Sequence, residues 1–136
     1  MRRGLNDFGM NNILLDSSIL VDFLRLKDKK STLFYKLVSQ NYQLHISLIT
    51  HSELYAGKSV WEKKTAKDEL EFLLSEMRII NLDEALSKKA GEIKAKYGIT
   101  LMDAIIAATA IVQKIKLATL NTRDFKRIKD LKIYKS

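Results

Sequence analysis

Short apolar runs of strand length alternate with amphipathic helical stretches along almost the whole chain, and this alternation restricts the fold more than any other feature. Asn12-Ile-Leu-Leu15, Gln43 to Ile46 and Arg78-Ile79-Ile80 read as strands, with Leu117 to Leu120 and Lys132 to Tyr134 as later candidates. Between them, Ile19, Leu20, Phe23, Leu24 and Leu26, then Leu33, Phe34, Leu37 and Val38, recur at helical spacing. A helix is expected from near Thr50 to Gly57 and a long surface helix from Trp61 to Met77. Another opens on a capping box at Asn81-Leu-Asp-Glu84 and stops at Tyr97-Gly98. Leu101 to Val112 is apolar on nearly every side and belongs at the centre of the fold. Strands separated by helices are joined by crossovers, so they lie parallel and are covered on both faces. The expectation is an α/β fold, a three-layer α/β/α sandwich around a central parallel sheet.

A chain of 136 residues has room for one domain. The expected division is a flexible extension over residues 1–10 and a single domain over 11–136. The extension carries two Arg but no apolar run behind them, so it is no secretory signal. The longest nearly apolar stretch, Ala104 to Val112, is too short to cross a bilayer. A cytoplasmic protein without a membrane partner is expected. With no Cys and only two His, thiolate zinc sites and cysteine nucleophiles are excluded, and carboxylates are left as the main carriers of acid–base or metal chemistry.

Charge is unevenly placed. Residues 113–136 hold eight basic side chains and two acidic ones, and so contribute +6 of the formal net charge of +8. Such a surface attracts polyanions through phosphate neutralisation, or serves only as a solvated, lysine-rich face.

Most acidic residues lie beside Lys on helical faces, but three do not. Asp16 follows Ile13-Leu14-Leu15 at a strand's carboxyl end. Glu53 opens a helix within Ile46-Ser-Leu-Ile-Thr-His-Ser-Glu-Leu54, and Asp103 opens the buried helix in Ile99-Thr-Leu-Met-Asp-Ala-Ile-Ile-Ala-Ala108. Each has a structural reading: Asp16 as an N-cap, and Thr50-His-Ser-Glu53 and Thr100-Leu-Met-Asp103 as capping boxes. Each also has a functional one, because ligands of an open parallel sheet collect outside the carboxyl ends of its strands. Converging carboxylates repel unless a cation holds them, and hard oxygen donors without Cys or paired His suit Mg²⁺ or Mn²⁺. An acidic, metal-loaded pocket beside a basic rim suits a nucleic-acid phosphodiester.

Four segments, Leu15-Asp-Ser-Ser-Ile-Leu-Val-Asp-Phe-Leu24, Ser47-Leu-Ile-Thr-His-Ser-Glu-Leu54, Asp103-Ala-Ile-Ile-Ala-Ala-Thr109 and Ala118-Thr-Leu-Asn-Thr-Arg-Asp-Phe125, resemble four successive motifs of the PIN-domain ribonucleases, most of all VapC-type toxins of toxin–antitoxin pairs. The likeness runs from about Asn11 to the C-terminus. It implies a Rossmann-like sandwich and a Mg²⁺-dependent endoribonuclease (Mn²⁺ being the alternative ion) acting on RNA as the toxin of a type II pair. On that resemblance Asp16 and Asp103 match the positions that hold metal most directly. Glu53 matches an acid that binds metal, often through water, or orients the attacking water.

At the last motif the resemblance implies that Asn121 lines the site, coordinating weakly or binding a water, and that Asp124 either joins the catalytic acids or caps the helix before Phe125. Thr119 and Ser17 are placed to hydrogen-bond water at the metal, or to cap backbone. Arg123, Lys126 and Arg127 are expected to meet RNA phosphates or to form a solvated face. His51, His45, Trp61, Tyr55 and Phe125 are expected to be structural. The resemblance further implies a homodimer and a cognate antitoxin that inserts a C-terminal segment into the acidic pocket. Competing readings are a PIN nuclease of RNA processing without an antitoxin, a non-catalytic nucleic-acid-binding module whose acids only cap helices, and a phosphatase with Asp16 as nucleophile. Ser18 counts against the last, since it stands where a second Asp would be expected.

Overall fold

The structure, a computed structural model, describes residues 11–135; the expected extension over residues 1–10 lies outside the described residues. The chain runs β1 (Asn12–Leu15), α1 (Ser17–Arg25), α2 (Leu33–Ser39), β2 (Gln43–Ser47), α3 (Leu48–Tyr55), α4 (Lys58–Glu62), α5 (Lys64–Leu74), β3 (Arg78–Ile80), α6 (Glu84–Tyr97), α7 (Leu101–Gln113), β4 (Lys116–Ala118) and α8 (Thr122–Phe125). The four strands are all parallel, in the order β3-β2-β1-β4. β1 is therefore central, with Ile13 facing Leu44 on one side and Lys116 on the other.

Strand geometry sends successive side chains to opposite faces, and β1 shows both faces covered. Ile13 and Leu15 enter one core cluster with Ile19 and Leu20 of α1, Phe34 and Leu37 of α2, Val60 of α4 and Leu70, Leu73 and Leu74 of α5. Leu14 enters the other, with Leu86, Ala90 and Ile93 of α6, the Ala-rich face of α7, Leu117 of β4 and Phe125. This is the expected three-layer arrangement. Ala104 to Ala110 are all buried in α7, and small side chains let α6 lie close against it. α6 ends as its sequence predicts: Gly98 takes the left-handed conformation (φ 70°) that glycine adopts without steric cost, and its amide bonds to Lys94 O.

Several expectations are corrected by tertiary contacts. The helix expected from Thr50 begins earlier: Ser47, the last residue of β2, caps α3 by accepting the Ile49 amide at 3.2 Å, and Thr50 lies buried inside the helix. The long helix expected over residues 61–77 is broken at Lys63, which is extended (φ −125°, ψ 117°). There the Trp61 indole donates to Tyr55 O at 2.7 Å and pins α4 across the end of α3. Asp83, not Asn81, caps α6, accepting the Leu86 amide at 2.8 Å. β4 ends at Ala118, short of the expected Leu120. Lys132 to Tyr134 contributes one isolated parallel bridge, Leu117 to Ile133, and no full strand.

Candidate active site

From β1 the chain steps outward to β2 and β3, then returns to place β4 on the other side of β1. The strand order reverses between β1 and β4, the kind of crevice in which open α/β sheets bind ligands. Asp16 sits on that crevice: its amide bonds to Ala118 O at 3.0 Å, which sets it beside Thr119 just beyond the two strand ends.

The Asp16 side chain is 6% exposed, and it does not cap α1 although it occupies the N-cap position. Its carboxylate instead accepts hydroxyl bonds from Thr119 (2.7 Å to Oδ2) and Ser18 (3.1 Å to Oδ2), with the Ser17 hydroxyl at 3.5 Å from Oδ1. Glu53 stands in the last turn of α3, far from its N-terminus, and so is no part of a capping box. Its Oε1 is buried without a hydrogen-bond partner. Asp103 lies in the first turn of α7, whose N-cap Thr100 accepts the Asp103 amide at 3.1 Å. For Asp16 and Glu53 the helix-capping reading therefore fails.

Burial pushes the Glu53 carboxyl up from its ordinary value, and the charges of Asp16 and then Asp103 push it further, with a hydroxyl bond from Ser17 opposing. Asp103 is likewise raised, by burial first and then by Asp16, against a Thr100 hydroxyl bond, with Asp124 adding a smaller push. These mutual effects mean that the acids of β1, α3 and α7 share one region of field, and that Asp124 reaches it. Both raised groups hold a proton more tightly in the folded chain than in the unfolded one. Their contribution to stability thus declines as pH rises from the ordinary values of 4.5 and 3.8 through the raised ones. Glu53→Gln, unfolded thermally in EDTA, is expected to gain more over the parent chain at pH 7 than near pH 5. An advantage equal at both pH values would refute the coupling.

Asn121 and Asp124 form a pair on the loop and short helix after β4, the Asn121 amide donating to Asp124 Oδ2 at 2.7 Å. Arg123, Lys126 and Arg127 are all exposed, and Arg127 also donates to Tyr97 O at the end of α6 at 3.0 Å. His51 packs its ring on Tyr55 with centroids 4.9 Å apart, and His45 Nε2 lies 2.9 Å from the Asn12 side-chain oxygen. Ser18, whose place in the sequence speaks only against a phosphatase, bonds directly to Asp16. A hydroxyl two residues after the acid, in the first turn of the same helix, is the signal that could have found it.

A divalent ion fits these residues in kind. The donors are carboxylate and amide oxygens, and a buried Glu53 oxygen has no partner. Among the described residues no three Asp, Glu or His side chains form a ready-made ligand set. Mg²⁺ commonly binds through one or two carboxylates and keeps several waters.

The chain belongs to the PIN-domain family, whose signature matches residues 13–131. Within it, the kinship is with the VapC ribonucleases: the chain is 32% identical over 129 residues to ribonuclease VapC10 of Mycobacterium tuberculosis, spanning 88% of this chain and 90% of the relative. A toxin–antitoxin complex from Klebsiella pneumoniae contains a chain 30% identical to this one (TM-score 0.71; 88% of this chain and 94% of that one). VapBC2 from Rickettsia felis, bound to a DNA fragment from its promoter, contains one 25% identical (TM-score 0.75; 90% and 97%). No helix among the described residues is long and apolar enough to cross a membrane.

Proposed function

We propose that this protein is a Mg²⁺-dependent endoribonuclease, the toxin of a type II toxin–antitoxin pair, and that a cognate antitoxin holds it in check. What supports the reading is that Asp16, beside the crevice between β1 and β4, raises the carboxyls of Glu53 and Asp103 from two other elements, and that Asp16 and Glu53 cap nothing. Asp16 and Asp103 would hold the cation, with Glu53 beside them and Asn121 and Asp124 closing the open side. When bound, the cation neutralises charge on the phosphodiester and makes a water acidic enough to attack at neutral pH. The protein's own part is to orient. Glu53, a stronger base than an ordinary carboxylate because burial and the charge of Asp16 raise its carboxyl, is suited to accept a proton from an attacking water. Arg123 and Lys126, exposed and close to Asp124 in sequence, would hold the RNA backbone. An antitoxin segment bearing a basic side chain would inhibit by neutralising these acids in place of the cation.

Purified protein is expected to cut RNA in Mg²⁺ and to stop in excess EDTA, as read from product ends on a gel. Cutting that survives chelation would overturn the assigned site. RNA binding without cutting, indifferent to Mg²⁺, would return the protein to the class of non-catalytic modules.

A further inference from the structure

Two hydroxyls converge on one oxygen of Asp16, and each is also held from behind. Thr119 Oγ1 donates to Asp16 Oδ2 and accepts the Asn121 amide at 2.9 Å; Ser18 Oγ donates to the same Oδ2 and accepts the Leu120 amide at 3.1 Å. The direction of both chains is forced by chemistry. A backbone N–H can only donate and an ionised carboxylate can only accept, so each hydroxyl must take one bond and give the other. The two relays run side by side, amide to hydroxyl to carboxylate, and polarise each other along the way. They satisfy Oδ2 and leave Oδ1 with only the Ser17 hydroxyl, at 3.5 Å, and so with lone pairs to spare for a cation.

The second relay begins at the Leu120 amide, on the loop after β4, and passes through Ser18 of α1, 102 residues away in sequence, to reach Asp16. That loop leads directly to Asn121 and, through the bond between them, to Asp124. We infer that Ser18 is a positioning residue, its hydroxyl fixing which oxygen of Asp16 is left for a cation and tying that choice to the placement of the Asn121–Asp124 pair. This rests on the reading of Asp16 as a cation ligand. Ser18 itself need not touch cation or RNA; it acts through Asp16 and through Leu120. Without it, Asp16 keeps Thr119 as its strong hydroxyl partner and can rotate, and the Leu120 amide loses its acceptor.

The test uses the full chain, with Mn²⁺ as probe. Partners that orient a metal ligand are typically worth about 10-fold or more in affinity or activity. Ser18→Ala is therefore expected to raise the Mn²⁺ concentration giving half the maximal thermal stabilisation by about 10-fold. kcat for RNA cleavage should fall comparably while KM stays unchanged. In metal-free protein the amides of Leu120 and Asn121 should exchange faster with deuterium, and Ser18→Thr, which keeps the hydroxyl, should restore all three quantities.

A Ser18→Ala protein that melts earlier but keeps the parent's Mn²⁺ midpoint and KM–kcat balance would show a purely structural hydroxyl and overturn the inference alone. A parent chain that gains no stability from Mn²⁺, with Asp16→Asn behaving the same, would overturn the site reading and this inference together. Should Ser18→Ala not fold, Ser18→Cys keeps the shape with a weaker donor and carries the same measurements.

Discussion

Asp16→Asn is expected to lower RNA cleavage by about 10³-fold, the loss that follows when several kcal/mol of charge stabilisation leave a phosphoryl transition state. It should do so without unfolding the protein. The hydroxyls of Thr119 and Ser18 both donate to Oδ2, so the amide of an Asn must place its oxygen there. Its NH₂ group then takes the place of Oδ1. A neutral donor would stand where the site needs an anionic acceptor, a worse outcome for a cation than loss of the charge alone. Stability should move the other way. The charge of Asp16 helps to raise the carboxyls of both Glu53 and Asp103, so removing it relieves repulsion at two neighbours. Cleavage rates in Mg²⁺ beside thermal unfolding in EDTA would check both halves. Parent-like cleavage by a folded Asp16→Asn protein would remove Asp16 from the chemistry.

The parts of this arrangement that local sequence carries are those in which one residue's neighbours decide its state. Ile13-Leu14-Leu15 is apolar on both faces of a strand and so must be central, and a polar residue directly after it must lie at the strand's carboxyl edge. Gly98 is a helix stop by its own geometry. Thr100 and Asp103 have the cap spacing, and the structure keeps it.

What local sequence does not carry are choices between equally good local signals. Ser47 and Thr50 are both acceptable N-caps; α3 starts at the earlier one because β2 delivers the chain there, and Thr50 is carried into the interior although its hydroxyl finds no hydrogen-bond partner. The 61–77 stretch has an unbroken helical period, yet the Trp61 indole finds Tyr55 O across a turn, and the helix breaks at Lys63. Ser18 was legible as a residue but not as a partner, since its bond to Leu120 depends on β4 lying beside β1. The resemblance could nominate Asp16, Glu53, Asp103 and Asp124 without geometry. It could not say that the first two are free of capping duty, and the chemical proposal depends on that.

Phe125→Ala should be the most destabilising single change near the site, and it tests how a four-residue helix can hold part of it. α8 spans only Thr122–Phe125, and so short a helix is far below the length that sustains itself in water. Its N-terminus has no side-chain cap either. What fixes it is Phe125, wholly buried among Leu14, Leu117, Ile128 and the α7 alanines. Truncating a buried Phe costs roughly 3–5 kcal/mol, against a total of about 5–15 kcal/mol for a typical domain. The urea midpoint should fall accordingly, whereas Phe72→Ala, at a side chain 74% exposed, should stay within about 0.5 kcal/mol of the parent. Asp124 is the residue immediately before the anchor, and Asn121 holds it from the other side. Loosening Phe125 must therefore loosen the acid that adds to the field at Asp103. At a temperature where Phe125→Ala remains folded, its cleavage rate should be lower than that of Phe72→Ala. Equal urea midpoints for the two variants would mean that α8 is held by something other than its one buried ring.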